Sequence, residues 1–245
     1  MKVAILGYGK MGHIVERVLK ERGHEVVTII DNEDDWKTNF DAFISAEVAI
    51  DFSEPKAAFQ NMVKALVLHV PMVVGTTGWH DHFEEIRQRY LDAGGKLVYG
   101  SNFSIGVNIF FKVNQLLAKL MNTQPRYQVT MEETHHIHKK DAPSGTAIHL
   151  AKDIINEVDS LKEWQLTPCD NTRVVLPVTA IREGEVPGTH KIVWESLEDT
   201  IEIKHIAHGR EGFARGAVYA AEWLVLQPSG VYPFEETIND ACRGE

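Results

Sequence analysis

A cluster of histidines and lysines is the part of the sequence best suited to acid–base chemistry. His135, His136 and His138 are followed by Lys139 and Lys140, where a strand pattern ends. Histidine gains and loses a proton near neutral pH and can act as a general acid. Lysine provides a compact cation for a carboxylate and, when partly desolvated, a second source of protons. These residue types therefore predict a site that delivers a proton to an anionic substrate.

A Pro-Ser-Gly-Thr turn follows this cluster and begins a helix pattern. Gly145 and Thr146 lie at the start of that helix. Backbone N–H groups there have no partner inside the helix and favour an anion, and the Thr146 hydroxyl adds another donor. Together with the cations upstream, the turn predicts a small substrate that carries carboxylates.

Two other interpretations of this segment stay open. His136 and His138 are two residues apart and could point from one face of a strand toward a metal ion, with Glu133 or Asp141 as further ligands. No cysteine or distant group of acids completes such a site, so we expect no bound metal. The segment could also be a basic surface loop, which would be unusual in a chain of net charge −10.

A glycine-rich turn near the N-terminus predicts a dinucleotide site. It fits G-x-G-x-x-G, directly after a strand pattern and before a helix pattern, and consists of Gly7, Tyr8, Gly9, Lys10, Met11 and Gly12. The first glycine permits a tight turn, the second lets the backbone approach a pyrophosphate, and the third lets helix and strand pack closely. The N–H groups at the helix start favour phosphate charge. A glycine-rich turn without a ligand is the alternative.

An acid at the end of the second strand pattern supports the dinucleotide interpretation. Asp31 lies 19 positions after Gly12, close to the spacing at which a carboxylate binds both ribose hydroxyls. Glu33, Asp34 and Asp35 follow and no arginine does, so the run would repel a 2′-phosphate. We therefore predict NADH as the preferred cofactor and NADPH as a secondary one. A solvated acidic loop is the alternative for the last three acids.

Two further loops lie at the carboxyl ends of strand patterns, where an open α/β sheet binds its ligand. They are Gly75-Thr76-Thr77-Gly78 and Gly100-Ser101-Asn102-Phe103. Small residues would let a nicotinamide and its ribose lie against the backbone, while Thr and Asn would supply hydrogen bonds. Ordinary turn chemistry is the alternative for either loop alone.

The elements that position these residues alternate over the first hundred residues. Short apolar runs predict strands covered on both faces of a parallel sheet, at 3–6, 26–30, 48–52, 72–75 and 96–99. Helical periodicity lies between them, with Ser53 expected as a cap, Pro55 in the first turn that follows, and a further helix over 81–93. The order predicts an α/β fold with a Rossmann-like doubly wound parallel sheet.

The pattern changes after residue 103. Helices are predicted at 106–121, 146–158 and 214–226, and strands at 127–132, 173–181, 191–196 and 200–206. This order predicts an inserted α+β domain. We expect a dinucleotide-binding domain over 1–104 and 213–245, and a substrate-binding domain over 105–212.

Composition narrows the class of protein. The 245 residues are 44% hydrophobic and 24% charged, as in globular proteins, and the excess of acids argues against nucleic-acid binding. Apolar runs fall short of the ~20 residues of a membrane helix, and the first residues do not read as a signal peptide. The two cysteines form no CxxC pair, so a disulfide framework is not expected. We expect a cytoplasmic protein without membrane or nucleic-acid partners.

Taken together, these motifs resemble the 4-hydroxy-tetrahydrodipicolinate reductase (dihydrodipicolinate reductase) family. The family signature E-x-H-H-x-x-K-x-D-A-P-S-G-T-A is met by residues 133–147. The resemblance extends to the G-T-T-G loop at 75–78, the N-F-S-I-G-V run at 102–107, and R-E-G with G-T-H within 182–190. It covers essentially the whole chain.

The resemblance implies an enzyme of lysine and diaminopimelate synthesis. Such an enzyme reduces the cyclic imine derived from 4-hydroxy-tetrahydrodipicolinate to tetrahydrodipicolinate, with hydride from a nicotinamide, and we expect its two domains to close on the substrate. By position, His135 matches the general acid/base and Lys139 the second proton donor. His136 matches a substrate-binding residue, and Gly145 with Thr146 the pair that holds a substrate carboxylate.

By the same resemblance, the cofactor contacts are Gly7 to Gly12, Asp31, Gly75 to Thr77 and Gly100 to Phe103, and the assembly is a homotetramer joined through the second-domain sheets. Three departures bear on cofactor preference: the glycine turn is one residue shorter than G-x-G-G-R-M-G and has Lys10 for arginine, sixteen residues separate Asp31 from Val48, and Asn32 stands where some relatives have arginine. The alternative function is a regulatory module that senses the cofactor and catalyses no reaction. The intact signature argues against this alternative.

Overall fold

The computed structural model describes residues 1–170 and 173–243, the last three of these by their backbone. Two compact units are formed, one from Met1–Ile105 with Arg210–Glu245 and one from Gly106–Gly209. The sequence-based boundaries are 104 and 212. Cys169 is a free thiol, and the side chain of Cys242 lies outside the described part.

Strands and helices alternate as follows. The strands are β1 (Lys2–Leu6), β2 (Glu25–Ile30), β3 (Val48–Asp51), β4 (Met72–Val74), β5 (Lys96–Tyr99), β6 (Gln128–His135), β7 (Glu163–Leu166), β8 (Val175–Arg182), β9 (Thr189–Glu195), β10 (Thr200–Ile206) and β11 (Gly230–Pro233). The helices are α1 (Lys10–Glu21), α2 (Glu33–Thr38), α3 (Phe40–Ile44), α4 (Pro55–Val67), α5 (Phe83–Asp92), α6 (Ile105–Met121), α7 (Gly145–Glu157), α8 (Glu211–Leu226) and α9 (Phe234–Arg243).

The first unit is a doubly wound α/β fold, as the sequence predicts. Its strands form one parallel sheet in the order β11-β5-β4-β3-β1-β2. Apolar side chains of the strands pack against α1 and α8 in one cluster and against α4 and α5 in another. Because β2 and β3 lie on opposite sides of β1, the strand order reverses beside β1, which is where such sheets bind ligands.

The segment after β2 is helical, so its interpretation as an acidic loop is wrong. Asn32 caps α2, since its Oδ1 accepts the N–H groups of Asp34 (2.9 Å) and Asp35 (3.0 Å). The Asp35 carboxylate in return accepts the Asn32 N–H (3.2 Å), which completes a capping box. Acids in the first turn also favour a helix start.

The expected Ser53 cap of α4 is also wrong. Glu54 occupies the cap position without a side-chain hydrogen bond, and Pro55 stands in the first turn as predicted. The Ser53 hydroxyl instead donates to the buried Asp51 carboxylate (2.8 Å). A buried carboxyl group needs hydrogen-bond partners from the protein, whereas water can reach an exposed helix end.

The second unit is a mixed sheet covered by helices. Strand order is β10-β9-β6-β8-β7, in which β6 runs antiparallel to β9 and parallel to β8. Helices α6 and α7 share one hydrophobic core with this sheet. The α+β prediction is confirmed, although β7 was not expected.

We find no helix, in the part of the chain that is described, with the length and apolar character that a membrane crossing requires.

Candidate active site

The inward face of β6 changes from apolar to ionisable near its carboxyl end. Side chains alternate along this strand, so that Val129, Met131, Glu133 and His135 are all buried. The first two pack in the core of the second unit. Glu133 and His135 continue the same row at the strand's end, so the sheet itself positions His135. The sequence-based strand ended too early, at 132, to show this.

Three groups hold the Glu133 carboxylate, whose exposed fraction is 0%. Oε1 accepts hydrogen bonds from Nη2 of Arg182 (2.9 Å) and the N–H of Ser144 (3.2 Å). Oε2 is paired with Nδ1 of His135. Burial raises the pKa of Glu133, but His135, Arg182 and Ser144 together outweigh burial and bring that pKa to about 2. The carboxylate is therefore charged throughout the neutral range.

His190 is the second buried histidine of the site. It lies on β9 directly opposite Glu133 in the antiparallel pairing. Its Nε2 is 3.2 Å from the Ser144 hydroxyl oxygen, and its ring centroid is 5.2 Å from that of His135. Burial first, and then the nearby His135, lower the pKa of His190 to about 4. Sequence reasoning matched His190 to a family motif without a role, because only strand register reveals its neighbour.

Lys139 lies on the loop that follows β6. Its Nζ is 2.9 Å from Oδ1 of Asp141 and holds the pKa of that carboxyl below its usual range. The loop backbone is anchored, because the His136 N–H donates to the Val186 carbonyl (2.8 Å) and the Ile137 N–H to the carbonyl of residue 184 (3.1 Å). The lysine is thus presented by an ordered turn next to the strand that carries His135.

The start of α7 adjoins the same carboxylate. Ser144 caps the helix by accepting the Ala147 N–H at its Oγ (3.2 Å), while its own N–H binds Glu133. Gly145 is exposed, and a Cβ added there would have no atom within 4 Å. The first turn, with Gly145 and Thr146, therefore has an N-terminal end with room for an anion.

The histidines suggested for the metal alternative are not the ones that the fold gathers. His138 is largely exposed, and its Nε2 is 3.3 Å from Glu185. Among the described residues, the side chains whose ligand atoms lie within 4.8 Å of one another are those of Glu133, His135 and His190. The Arg182 guanidinium already binds the Glu133 carboxylate, so a metal ion at this place would have to share that carboxylate with Arg182.

The glycine turn of the first unit has the geometry that its spacing predicts. Gly7 has a φ of +85°, and a Cβ on it would lie 2.5 Å from the Phe52 carbonyl oxygen. A Cβ on Gly12 would lie 2.3 Å from the Gly7 carbonyl oxygen. At Gly9, which precedes α1, the same addition meets nothing within 4 Å. The open space beside the helix start fits a pyrophosphate.

Asp31 lies beside this turn at the end of β2. Its Oδ1 accepts the Tyr8 N–H (2.6 Å), and the Asp31 N–H donates to Oδ2 of Asp35 (2.8 Å). Asp31 is exposed. An exposed acid therefore lies next to the glycine turn, and its contact with a ribose stays a prediction.

The later acids of the run have partners of their own. Glu33 accepts a hydrogen bond from Nζ of Lys64 (3.0 Å), and Asp34 accepts one from Nζ of Lys37 (2.7 Å). With Asp35 bound to the α2 backbone, Asp31 remains as the acid placed next to the glycine turn.

In the loop after β4, the two threonines differ. Gly75 packs on Phe52, because an added Cβ would lie 2.1 Å from the ring. The buried Thr76 donates its hydroxyl to Oδ1 of Asp51 (2.5 Å), whereas Thr77 is exposed. The Thr76 hydroxyl therefore donates to Asp51, and a contact between Thr76 and a cofactor stays a prediction.

In the loop after β5, the aromatic side chain is part of the core. Phe103 is buried, with its ring centroid 4.6 Å from that of Phe234. A Cβ on Gly100 would lie 3.0 Å from the Phe234 side chain. Ser101 is exposed and Asn102 half-exposed. Ser101 thus has an exposed side chain, Asn102 Oδ1 accepts the Ser104 N–H (2.9 Å), and Phe103 could offer its backbone to a cofactor.

The predicted cofactor residues all follow strands of one parallel sheet. The glycine turn comes after β1, Asp31 after β2, and the other two loops after β4 and β5. Since carboxyl ends of parallel strands share one edge, these residues lie along the edge where the strand order reverses.

Comparison with known proteins covers both units. The family models "Dihydrodipicolinate reductase, N-terminus" and "Dihydrodipicolinate reductase, C-terminus" match residues 1–103 and 106–238. A 4-hydroxy-tetrahydrodipicolinate reductase of Christiangramia forsetii is 44% identical over 243 residues, which is 99% of this chain and 100% of that protein. One of Staphylococcus aureus is 32% identical, over 96% of this chain and 99% of that protein.

The fold is also similar to that of a solved relative. The structure described as dipicolinate-bound dihydrodipicolinate reductase from Paenisporosarcina sp. TG-14 superposes with a TM-score of 0.76 at 21% identity, covering 96% of this chain and 98% of that one. Two family models that between them span nearly the whole chain, together with a relative at 44% identity, establish the family of this chain. The chain belongs to the dihydrodipicolinate reductase family.

Proposed function

We propose that this chain reduces 4-hydroxy-tetrahydrodipicolinate, through its dehydrated cyclic imine, to tetrahydrodipicolinate and water, with oxidation of NAD(P)H to NAD(P)⁺. One observation carries the proposal: a buried, charged carboxylate binds His135 and, through Ser144, adjoins a helix start that can receive an anion. Membership of the family and the names of the relatives agree with it.

The roles of the substrate-side residues follow from their chemistry. His135 acts as the general acid that protonates the reduced ring, and Lys139 as a second proton donor. His136 and the α7 start, at Gly145 and Thr146, bind the carboxylates of the substrate. The fragment 105–212 is thus the substrate-binding domain.

The cofactor would bind to residues 1–104 together with 213–245. Gly7 to Gly12 would hold the pyrophosphate, Asp31 the ribose, and Gly75 to Thr77 with Gly100 to Phe103 the nicotinamide end. A bound nicotinamide supplies the hydride. The open space at Gly9 supports this assignment.

NADH is proposed as the preferred cofactor, because Asp31 is an exposed carboxylate beside the glycine turn. Calorimetric titrations with NADH and NADPH test this, in the presence of pyridine-2,6-dicarboxylate. Asp31→Ser should weaken NADH binding and bring the dissociation constants of NADH and NADPH closer together. Asp34→Ser, which removes an acid already bound to Lys37, is the matched control. Equal affinities in the wild type would contradict the preference.

We also propose a cytoplasmic homotetramer. The supporting observation is the sheet of the second unit, in which β10 is largely exposed and includes Ile201 and Ile206 among its exposed side chains. Light scattering coupled to size exclusion tests the tetramer, and a monomeric mass at micromolar concentration would refute it.

The central experiment follows NAD(P)H oxidation with freshly made pathway substrate. His135→Ala should lower kcat by about 10²–10⁴, and Lys139→Ala should lower kcat and raise KM. His138→Ala and Lys140→Ala are matched controls on the same loop and should leave both unchanged. No substrate-dependent oxidation by the wild type would refute the function, and full turnover by His135→Ala would refute the role of that residue.

A further inference from the structure

We propose that Glu133 is a positioning residue for His135, fixing the ring so that Nδ1 carries a proton and Nε2 exchanges protons with the substrate. The inference rests on the proposed function and adds to it a residue that does not touch the reacting atoms.

The carboxylate is held too firmly to serve as a mobile base. Its Oε1 accepts from Arg182 and from Ser144, as described above. Arg182 is itself fixed, because its Nη2 also donates to the Asp141 carbonyl (2.5 Å) and its Nη1 to the Ile181 carbonyl (2.7 Å). Oε2 is thereby aimed at His135 by groups on two other segments of the unit, β8 and the start of α7.

A charged carboxylate can only accept hydrogen bonds, so the facing Nδ1 must carry the proton. This leaves Nε2 as the nitrogen that changes its protonation. A Cβ on Gly188 would lie 3.0 Å from that Nε2, so the missing side chain at Gly188 keeps the space beside the reactive nitrogen open.

The charges around His135 are consistent with this arrangement. Glu133 lies two residues before His135 on β6. Arg182 is the neighbour of His135 on β8, and the ring of His190 on β9 faces the ring of His135. The low pKa of His190 leaves it neutral at pH 7, and Lys139 is paired with Asp141. Arg182 offsets part of the charge on Glu133, but among the charged side chains in the described part of the chain it is Glu133 that pairs with the ring. The contact therefore places a fixed negative charge against the ring of the general acid.

The first measurement needs no variant of Glu133. With ¹⁵N-labelled histidine, NMR shifts report which ring nitrogen of His135 carries the proton above the titration range, and the signal is identified by its absence in His135→Asn. We expect the Nδ1–H tautomer. An Nε2–H tautomer in the wild type would overturn the inference, whatever the activity.

The second measurement is the pH profile of kcat and kcat/KM for Glu133→Gln. We expect kcat at pH 7.5 to fall at least about 10-fold with KM changed less than about two-fold. The alkaline limb, where the general acid loses its proton, should move to lower pH, so that the deficit in kcat shrinks as the pH is lowered. Simple structural damage does not produce such a recovery. Glu133→Asp, which keeps the anion, should restore part of kcat.

Glu132→Gln is the matched control. Glu132 is the preceding residue of β6, on the opposite face, and is 3.7 Å from Lys191 at the surface. Its pH profile should equal that of the wild type.

The outcomes separate this inference from the proposed function. If His135→Ala is impaired while Glu133→Gln keeps the wild-type kcat and pH profile, the positioning role is overturned and the function stands. If His135→Ala is fully active, the acid role itself fails. Activity that is lost with chelator and restored by Zn²⁺ would overturn the pairing in favour of a metal on Glu133, His135 and His190.

Discussion

His190 lies directly opposite Glu133 across β9 and β6, and the two buried side chains have pKa values displaced downward for different reasons. Burial keeps the histidine neutral, whereas hydrogen bonds and neighbouring cations keep the carboxylate charged. A neutral imidazole beside a permanent anion leaves His135 as the ring that pairs with that anion.

The neutral state of His190 should make stability depend on pH. Its pKa is 6.5 when unfolded and about 4 when folded, so its contribution is complete above about pH 6.5 and is lost as the pH falls toward 4. Between pH 7 and pH 5 this amounts to about 2 kcal/mol. In urea unfolding at one protein concentration, the free energy of unfolding should fall between pH 7 and pH 5 for both proteins. The fall should be smaller for His190→Gln than for the wild type by about 2 kcal/mol. His80→Gln, an exposed histidine, is the control, and equal slopes for wild type and His190→Gln would contradict the prediction.

Removing Arg182 should leave Glu133 insufficiently compensated. The pKa of Glu133 in the folded state would rise from about 2, so the stability that is lost on acidification would begin to be lost at higher pH. We expect Arg182→Met to destabilise the fold by about 3 kcal/mol at pH 7 and to shift acid unfolding, followed by circular dichroism, upward.

Arg182→Met should reduce stability less in a Glu133→Gln background, because the carboxylate charge that Arg182 compensates is then absent. Arg126→Met, which breaks an exposed pair with Glu198, should change stability by no more than about 1 kcal/mol. An equal cost of Arg182→Met in both backgrounds would argue against the pairing.

Thr76 should stabilise the fold through its hydrogen bond to Asp51. Burial raises the pKa of Asp51, and the Thr76 hydroxyl and Asn61 amide oppose that rise. Thr76→Val should therefore raise the pKa further and cost about 2 kcal/mol of stability. Since a raised pKa means that stability is lost as the pH rises through it, the cost should be smaller at low pH. Thr76→Ser retains the hydroxyl and should remain close to wild type in chemical denaturation.

Alanine substitutions should separate two roles within the glycine turn. Gly12→Ala places a Cβ 2.3 Å from the Gly7 carbonyl oxygen and should destabilise the fold. Gly9→Ala meets open space and should leave the melting temperature unchanged, while weakening NADH binding at least about 10-fold because its methyl group occupies the place of the phosphate. Calorimetry and thermal unfolding measure both, and unaltered NADH affinity in Gly9→Ala would contradict the assignment.

The sequence determined the first unit closely. Its strands are short apolar runs covered on both faces, and parallel strands bring their carboxyl ends to one edge, so the loops named from the sequence are gathered there. The helix after Asp31 was missed because its acids were read as solvated, although Asn32 and Asp35 carry the spacing of a capping box. Strand β11 is four residues long with a proline and gave little signal.

For the second unit, the sequence identified the residues by type and the structure decided their partners. His135, Lys139, Gly145 and Thr146 could be named because histidine, lysine and a helix start have chemistry of their own. That Glu133 binds His135, Arg182 and Ser144 depended on the register of β6 with β8 and on the return of the chain at α7. Residues far apart in sequence become neighbours only when strands pair, and the pairing is set by the packing of the whole sheet.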